Sequence, residues 1–382
     1  MSLPEPDDSA LAISRELTGR IVAEIRQTGW MPFPRFMEKV LYEPALGYYS
    51  AGSAKFGQAG DFVTAPELTP LFGRTLARQV GEILAQTGGV VLETGAGSGA
   101  LACDLLSGLE LAGQLPEQYL ILEVSADLRE RQQQRVARSL PHLLSRVVWI
   151  ERLPEELTGC VVANELLDAM PVHLVHWRDD GLFERGVALD EQGQFIWQER
   201  PVDDAMLAEQ ARALPATSGM LSEIGLAGQA WVRELGQRLV HGAMLLIDYG
   251  FGEREYYHPQ RQEGTLMCHY RQHAHADPFF LPGLQDVTAH VDFTAATLAG
   301  KAVGLRLAGY TTQAQFLLNC GITGLLEQAD PQQPARYLPQ SAAVQKLLSP
   351  AEMGELFKVL ALSRGELQPL TGFAIGDQRR RL

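Results

Sequence analysis

The sequence predicts a doubly wound α/β fold, a mostly parallel sheet with helices on both faces. Three observations predict it. Strand-like and helix-like patterns alternate from residue 90 to residue 163. Within them a short apolar run, Val90-Val91-Leu92, meets Glu93 and a turn with glycines at Gly95, Gly97 and Gly99, and a helical pattern (Leu101, Leu105, Leu106, Leu109) follows at once. The rhythm then breaks into alternating polarity and resumes with AMLLIDYG at 243–250.

Each element has its own signal. Residues 11–30 place Leu11, Ile13, Leu17, Ile21, Val22 and Ile25 at helical spacing, and Pro32 and Pro34 open a second helix over 34–41. Residues 42–73 are rich in Gly, Pro and aromatics without periodicity. A loop of that length is functional or disordered, and Tyr42, Tyr48, Tyr49, Phe56 and Phe62 argue for an ordered lid. A helix over 70–84 leads into the glycine turn. After it come a strand at 119–122 ending in Glu123, a helix over 126–140, and strands at 147–150 and 160–163. The stretch 182–200 alternates apolar and polar around DEQG, the signature of an antiparallel hairpin. Helices follow near 203–214 and 227–240, so 172–240 reads as an insertion between the fourth and fifth strands. A polar, His-bearing loop covers 251–290. A helix over 293–303, a strand at 306–312, a helical excursion and a last strand at 357–363 complete the core, and the basic tail Arg379–Arg381 is expected to be solvated. The segments are thus 1–85 (helices and lid), 86–171 (first part of the core), 172–240 (insertion) and 241–382 (second part of the core).

Composition excludes several function classes. A chain of 382 residues is long enough for two domains or one large core. Its net charge of −14, from 46 acidic and 32 basic residues, lacks the basic footprint of a nucleic-acid or anionic-membrane binder. No apolar run approaches the ~18 residues of a membrane span, and the acidic start MSLPEPDDSA is unlike a signal peptide. Four scattered cysteines without a C-x-x-C pair fit a reducing compartment, and a cytoplasmic protein is expected.

The strand–glycine turn–helix order makes a nucleotide-type cofactor site. Glycine accepts the positive-φ path, and its missing Cβ lets a ligand lie against backbone N–H groups at a helix N-terminus. The same residues satisfy a dinucleotide fingerprint, and three alternating glycines can also form a plain turn. Glu123 follows Gly99 by 24 positions, close to the offset of about 20 at which an acid accepts both ribose hydroxyls. A nicotinamide fingerprint normally opens its domain, whereas this one follows some 90 residues of helices and lid. Glu93 before the glycines is suited to an ammonium group, which S-adenosylmethionine carries and NAD lacks. The placement favours the methyl donor.

GDFVTAPE at 60–67, FG at 72–73, LETGAGSG, LEVS at 122–125, NELLDAMPV at 164–172, DYG at 248–250, DVTAHVDF at 286–293 and MGELFKVLALSRG at 353–365 together resemble the MidA-like class I methyltransferases. That family includes the mitochondrial assembly methyltransferase for respiratory complex I. Thr94 and Ala96 stand where the family often has ELGPG, small changes between the glycines. The resemblance implies a Rossmann-like seven-strand sheet of order 3-2-1-4-5-7-6 with strand 7 antiparallel. It also implies S-adenosyl-L-methionine as cofactor, and that a relative methylates an arginine of a complex I subunit.

An arginine acceptor poses a specific problem, because guanidinium is protonated at ordinary pH and is a poor nucleophile. Paired carboxylates can grip its fork, aim one nitrogen and assist proton loss. Glu165 and Asp168, after the fourth strand, are the catalytic candidates, with helix capping as the plainer alternative. Cofactor-binding candidates are Glu93, Gly95, Gly97, Gly99, Glu123, Asn164, Asp61 and Phe62. The lid residues Tyr48, Tyr49, Asp61 and Phe62 are expected to close over the cofactor or to pack as ordinary core. Tyr49, Asp286, His290 and Asp292 are candidates for the acceptor side, with capping open for the acids. His269, His273 and His275 lie in a polar loop without a helical HExxH context, so no metal is assigned. No G-x-S-x-G supports a hydrolase. The leading expectation is a methyltransferase acting on a protein. The alternatives are a cofactor-binding assembly factor with little turnover, favoured by the insertion, and an NAD-dependent oxidoreductase.

Overall fold

The computed structural model describes residues 3–50, 64–330 and 332–382. Expectations for Phe56, Asp61 and Phe62 lie outside the described residues. The chain forms two compact units interleaved in sequence: Met1–Phe62, Leu167–Ala230 and Phe251–Thr294 make the first, and Val63–Leu166, Trp231–Gly250 and Ala295–Leu382 the second. Residues 1–62, 172–230 and 251–294, which the sequence reading assigns to three segments, therefore share one unit. Among the described residues no helix is long and apolar enough to cross a membrane.

The second unit contains the predicted sheet. Among the described residues the sheet has eight strands rather than the expected seven. Seven of them form one path, β1 (Val90–Thr94), β2 (Tyr119–Leu122), β3 (Val147–Ile150), β4 (Leu157–Asn164), β5 (Leu239–Phe251), β6 (Arg306–Thr312) and β7 (Phe357–Arg364), lying side by side as β3-β2-β1-β4-β5-β7-β6. Leu92 pairs with Leu120 on one side and Val161 on the other, both parallel. β7 runs antiparallel to both neighbours, with Leu360 opposite Leu246 and Tyr310. The path has the expected strand order. Helices cover both faces, so β1, β4, β5 and β7 read as near-continuous apolar runs rather than alternating ones. The helices Pro70–Thr87 and Ala100–Leu111 place Leu76, Val80, Leu105 and Leu106 against Val91, Tyr119, Val162 and Leu245 in one core. The strand order reverses between β1 and β4, which is where an open α/β sheet binds ligands at its carboxyl ends.

The first unit begins with the helix Asp8–Thr28. Asp7 caps it by accepting from Ala10 N–H at 2.8 Å, and left-handed Gly29 closes it by donating to the Ile25 carbonyl at 2.7 Å. These caps set the ends three and two residues earlier than the periodicity alone suggests. Leu17, Ile21 and Ile25 pack with Phe33, Phe36, Met37 and Val40 of the helix Phe33–Tyr42. The predicted hairpin is present as strands Gly181–Leu189 and Phe195–Pro201. Asp190 nucleates its turn by accepting from the N–H groups of Gln192 and Gln194. Strands His173–Arg178, Leu221–Ile224 and Met31–Pro32 extend this antiparallel sheet.

The stretch read as one polar loop, 251–290, holds a small sheet instead, Met267–Tyr270 between His273–His275 and Asp286–Thr288. Strands of three or four residues are too short to show a period. His269 and His273 are ladder residues there, and His273 Nδ1 lies 2.8 Å from the Arg271 carbonyl.

Candidate active site

The glycine turn leaves β1 and enters the helix Ala100–Leu111. Gly95, Gly97 and Gly99 have φ of 73°, 51° and 79°, a region that side-chain-bearing residues rarely adopt. A Cβ on Gly95 would meet Leu166 Cδ1 at 3.0 Å, and one on Gly99 would meet Gln132 Cγ at 3.3 Å. The helix starts from Gly99 without a true side-chain cap; Ser98 Oγ reaches Ala100 N–H only at 3.4 Å. Its first N–H groups are thus available to a ligand.

Ser98, inside the turn, is anchored from outside. Its hydroxyl donates to Glu67, the last residue of GDFVTAPE, and Arg135 bonds both Ser98 and Glu67, the latter at 2.9 Å. This clamp was not legible beforehand: nothing in the spacing of 67, 98 and 135 joins them.

Two carboxylates flank the turn. Glu93 lies on the face of β1 that carries Val91, packed with Tyr119, and is 1% exposed. The Tyr119 hydroxyl donates to it at 2.6 Å, and burial raises its pKa to about 7 against that hydrogen bond. Glu123 follows β2. It accepts from Ser125 N–H at 2.9 Å and from the Gln132 amide at 3.0 Å, while burial pushes its pKa up.

Asn164 ends β4, and its amide donates to Glu165 Oε1 at 3.0 Å. Glu165 is a non-glycine residue at φ 50°, a costly conformation that persists only where its surroundings impose it. Those surroundings are visible. Glu165 N–H donates to the Ile247 carbonyl at 2.9 Å, its carboxylate accepts weakly from Ala65 N–H at 3.4 Å, and the next N–H, of Leu166, donates to buried Asp248 at 3.1 Å. Asp248 is not among the site residues expected from the sequence; its signal there is an acid following the apolar run of β5.

Whether these residues suit the expected cofactor is tested by what they leave unsatisfied. Thr94 Oγ1 and Asn164 Oδ1 are buried at the carboxyl ends of neighbouring strands and have no hydrogen-bond partner among the described residues. Buried polar atoms left unpaired call for a partner, and the hydroxyls and amino group of an amino-acid-bearing nucleoside are of the chemistry that supplies one.

The remaining candidates lie in the first unit. The Tyr49 hydroxyl donates to Asp286 Oδ1 at 3.0 Å, and Tyr42, stacked on Tyr49, donates to the Ala169 carbonyl at 2.9 Å. Asp168 and Asp286 are both buried. Burial first, then the charges of Asp286 and Asp168, raise the pKa of both phenols. The Asp168 carbonyl accepts from Ala289 N–H at 2.9 Å. The structure therefore gathers Tyr49, Asp168 and Asp286. His290 stacks on Phe251 with ring centroids 5.4 Å apart, and Asp292 accepts from Thr294 N–H at the start of the helix Phe293–Ala302.

A model of a family of S-adenosyl-L-methionine-dependent methyltransferases matches residues 74–311, more than half of the chain. A crystal structure of a COG1565 superfamily member from Burkholderia thailandensis bound to S-adenosyl-homocysteine is 49% identical, covers 100% of both chains and superposes with a TM-score of 0.97. A native crystal structure from the same organism, also 49% identical over 100% of both chains, gives 0.94. Among curated relatives, the mitochondrial protein arginine methyltransferase NDUFAF7 of Bos taurus is 30% identical over 90% of this chain and 82% of its own length. The NDUFAF7 homologue of Drosophila melanogaster is 29% identical over 97% and 91%. The chain belongs to this family of methyltransferases, within the MidA-like group, and its cofactor is S-adenosyl-L-methionine. The nicotinamide alternative is set aside by the homocysteine-bearing ligand of the 49%-identical structure.

Proposed function

We propose that this methyltransferase modifies a protein acceptor at arginine, with Glu165 as the catalytic carboxylate. The observation that carries the reading is the left-handed Glu165 at the end of β4, held by Ala65, Asn164, Ile247 and the neighbouring Leu166–Asp248 bond. A carboxylate held in place this way is pre-aimed, and pre-aiming is what a poor nucleophile requires. The names of the curated relatives, protein arginine methyltransferases, support the acceptor class.

When bound, S-adenosyl-L-methionine supplies a methyl group activated by its sulfonium. This chain's residues do the rest. The glycine turn and the start of the helix Ala100–Leu111 receive the amino-acid end. Glu123 accepts the ribose hydroxyls. Thr94 and Asn164 provide the polar atoms left over at the strand ends. Glu165 takes a guanidinium N–H, fixes which nitrogen faces the methyl, and assists loss of its proton. Asp168, the second carboxylate of NELLDAMPV, and Asp286 are the acids proposed to attract the acceptor's positive charge, with Tyr49 orienting Asp286.

The test is a pair of measurements on wild type and Glu165→Gln. Calorimetric affinity for S-adenosylhomocysteine is expected to agree within twofold. Transfer of labelled methyl to arginine-bearing protein from cell extract is expected to fall at least about 100-fold, the scale of a lost acid–base group. Equal loss of both would reject a catalytic role for Glu165. Binding without transfer by the wild type would favour the assembly-factor reading.

A further inference from the structure

The helix Ala126–Ser139 is polar on nearly all sides, yet one of its glutamines, Gln132, has no exposed surface. Its amide joins three elements. Nε2 donates to the Gly97 carbonyl at 2.9 Å and to Glu123 Oε2 at 3.0 Å, and Oε1 accepts from the Trp149 indole N–H, on β3, at 2.9 Å. An indole only donates and a peptide carbonyl only accepts, so the amide has one possible orientation. Both its hydrogens are engaged. The same side chain is what a Cβ on Gly99 would strike. Gln132 therefore touches the glycine turn at two places and the flanking acid at a third.

Other groups around Glu123 do less to fix it. Ser125 N–H bonds the other carboxylate oxygen at 2.9 Å from two residues away. Arg129, the charged neighbour, donates to the Glu123 backbone carbonyl at 3.1 Å and to Glu151 at 2.8 Å. Among the described residues, Gln132 is the one that links the carboxylate to the turn.

We propose that Gln132 is a positioning residue that locks Glu123 in register with the glycine turn, so that the ribose and amino-acid ends of the cofactor are received together. This rests on the reading of Glu123 as the ribose carboxylate, and the experiment separates the two. Without Gln132, Glu123 keeps its burial but loses a donor. Its charged form is then disfavoured, and ribose binding weakens most where the acid is protonated.

Affinity for S-adenosylhomocysteine is measured by calorimetry from pH 6 to pH 8.5 on wild type, Gln132→Leu, Glu123→Gln and the double variant, with Tm as a folding control. Gln132→Leu is expected to bind about tenfold more weakly, with a loss that grows as pH falls. On the Glu123→Gln background the same substitution is expected to cost less than twofold, without that pH trend. Equal losses on both backgrounds at every pH would mean a merely structural role and overturn the proposal. So would a Gln132→Leu affinity within twofold of wild type while Glu123→Gln is weakened. If Glu123→Gln itself binds as wild type does, the ribose reading falls and the proposal with it. Should Gln132→Leu not fold, Trp149→Phe removes the donor that sets the amide. It is expected to weaken binding two- to fivefold with the same pH trend; unchanged binding would overturn the proposal.

Discussion

Two groups of buried acids, one in each unit, are satisfied in different ways. In the second unit Glu123 takes its donors from Ser125 and Gln132, two and nine residues further along one strand–helix passage. In the first unit Asp286 takes its donor from Tyr49, 237 positions earlier, and shares its surroundings with Asp168 and Tyr42. The first arrangement is written into a local βαβ unit and forms whenever that unit folds. The second exists only once a helical N-terminus, the residues after β4 and a late small sheet have come together. A cofactor common to many reactions suits the local arrangement. An acceptor particular to one enzyme suits the assembled one.

The largest effect expected on this contrast comes from the turn. Gly99→Val would force a β-branched residue to φ 79°, at about 1–3 kcal/mol of backbone strain, and drive its branches into Gln132, 3.3 Å from the Cβ position. Affinity for S-adenosylhomocysteine is expected to fall by more than about 100-fold, as read by calorimetry. Binding that survives within tenfold would show that the turn is not the cofactor's cradle.

A smaller effect sharpens the contrast from the other unit. Asp286→Asn keeps an oxygen for the Tyr49 hydroxyl and removes only the charge. Affinity for S-adenosylhomocysteine should stay within twofold, while KM for the protein acceptor rises about tenfold, the worth of one charge-assisted contact. A matching loss of cofactor affinity would erase the division of labour between the two groups.

The same contrast explains what the sequence could tell. The positions of the core strands and of the glycine turn were legible because buried parallel strands are apolar runs and alternating glycines mark a positive-φ turn. The strand order came from the family resemblance, since apolar runs locate strands without ordering them. The first helix ends at its caps, Asp7 and Gly29, and not where the apolar period runs out, because capping hydrogen bonds and not periodicity fix a helix terminus. Gln132 gave no signal, since a glutamine among polar helix residues looks solvated until a tryptophan from another strand reaches it. The grouping of Tyr49, Asp168 and Asp286 needed the tertiary fold, and so did the left-handed Glu165, a conformation that no residue type at that position announces.

The smallest effect concerns Glu93, the acid that belongs to the local arrangement yet is bonded inward, to Tyr119. Its ordinary pKa of 4.5 is raised to about 7 by burial. Between those values the folded chain holds a proton that the unfolded chain releases, so stability falls as pH rises through that window, and the penalty is fully present above about pH 7. Glu93→Gln keeps an oxygen for the Tyr119 hydroxyl and cannot ionise. The variant is therefore expected to match wild type near pH 4.5 and to melt a few degrees higher at pH 8. A Tm difference that does not vary with pH would mean that Glu93 is ionised throughout. Affinity for S-adenosylhomocysteine at pH 8 decides the remaining point. If the carboxylate also faces the ligand's ammonium, Glu93→Gln weakens binding there; if Tyr119 is its whole task, the affinity is unchanged and the amino-acid end is held by the turn alone.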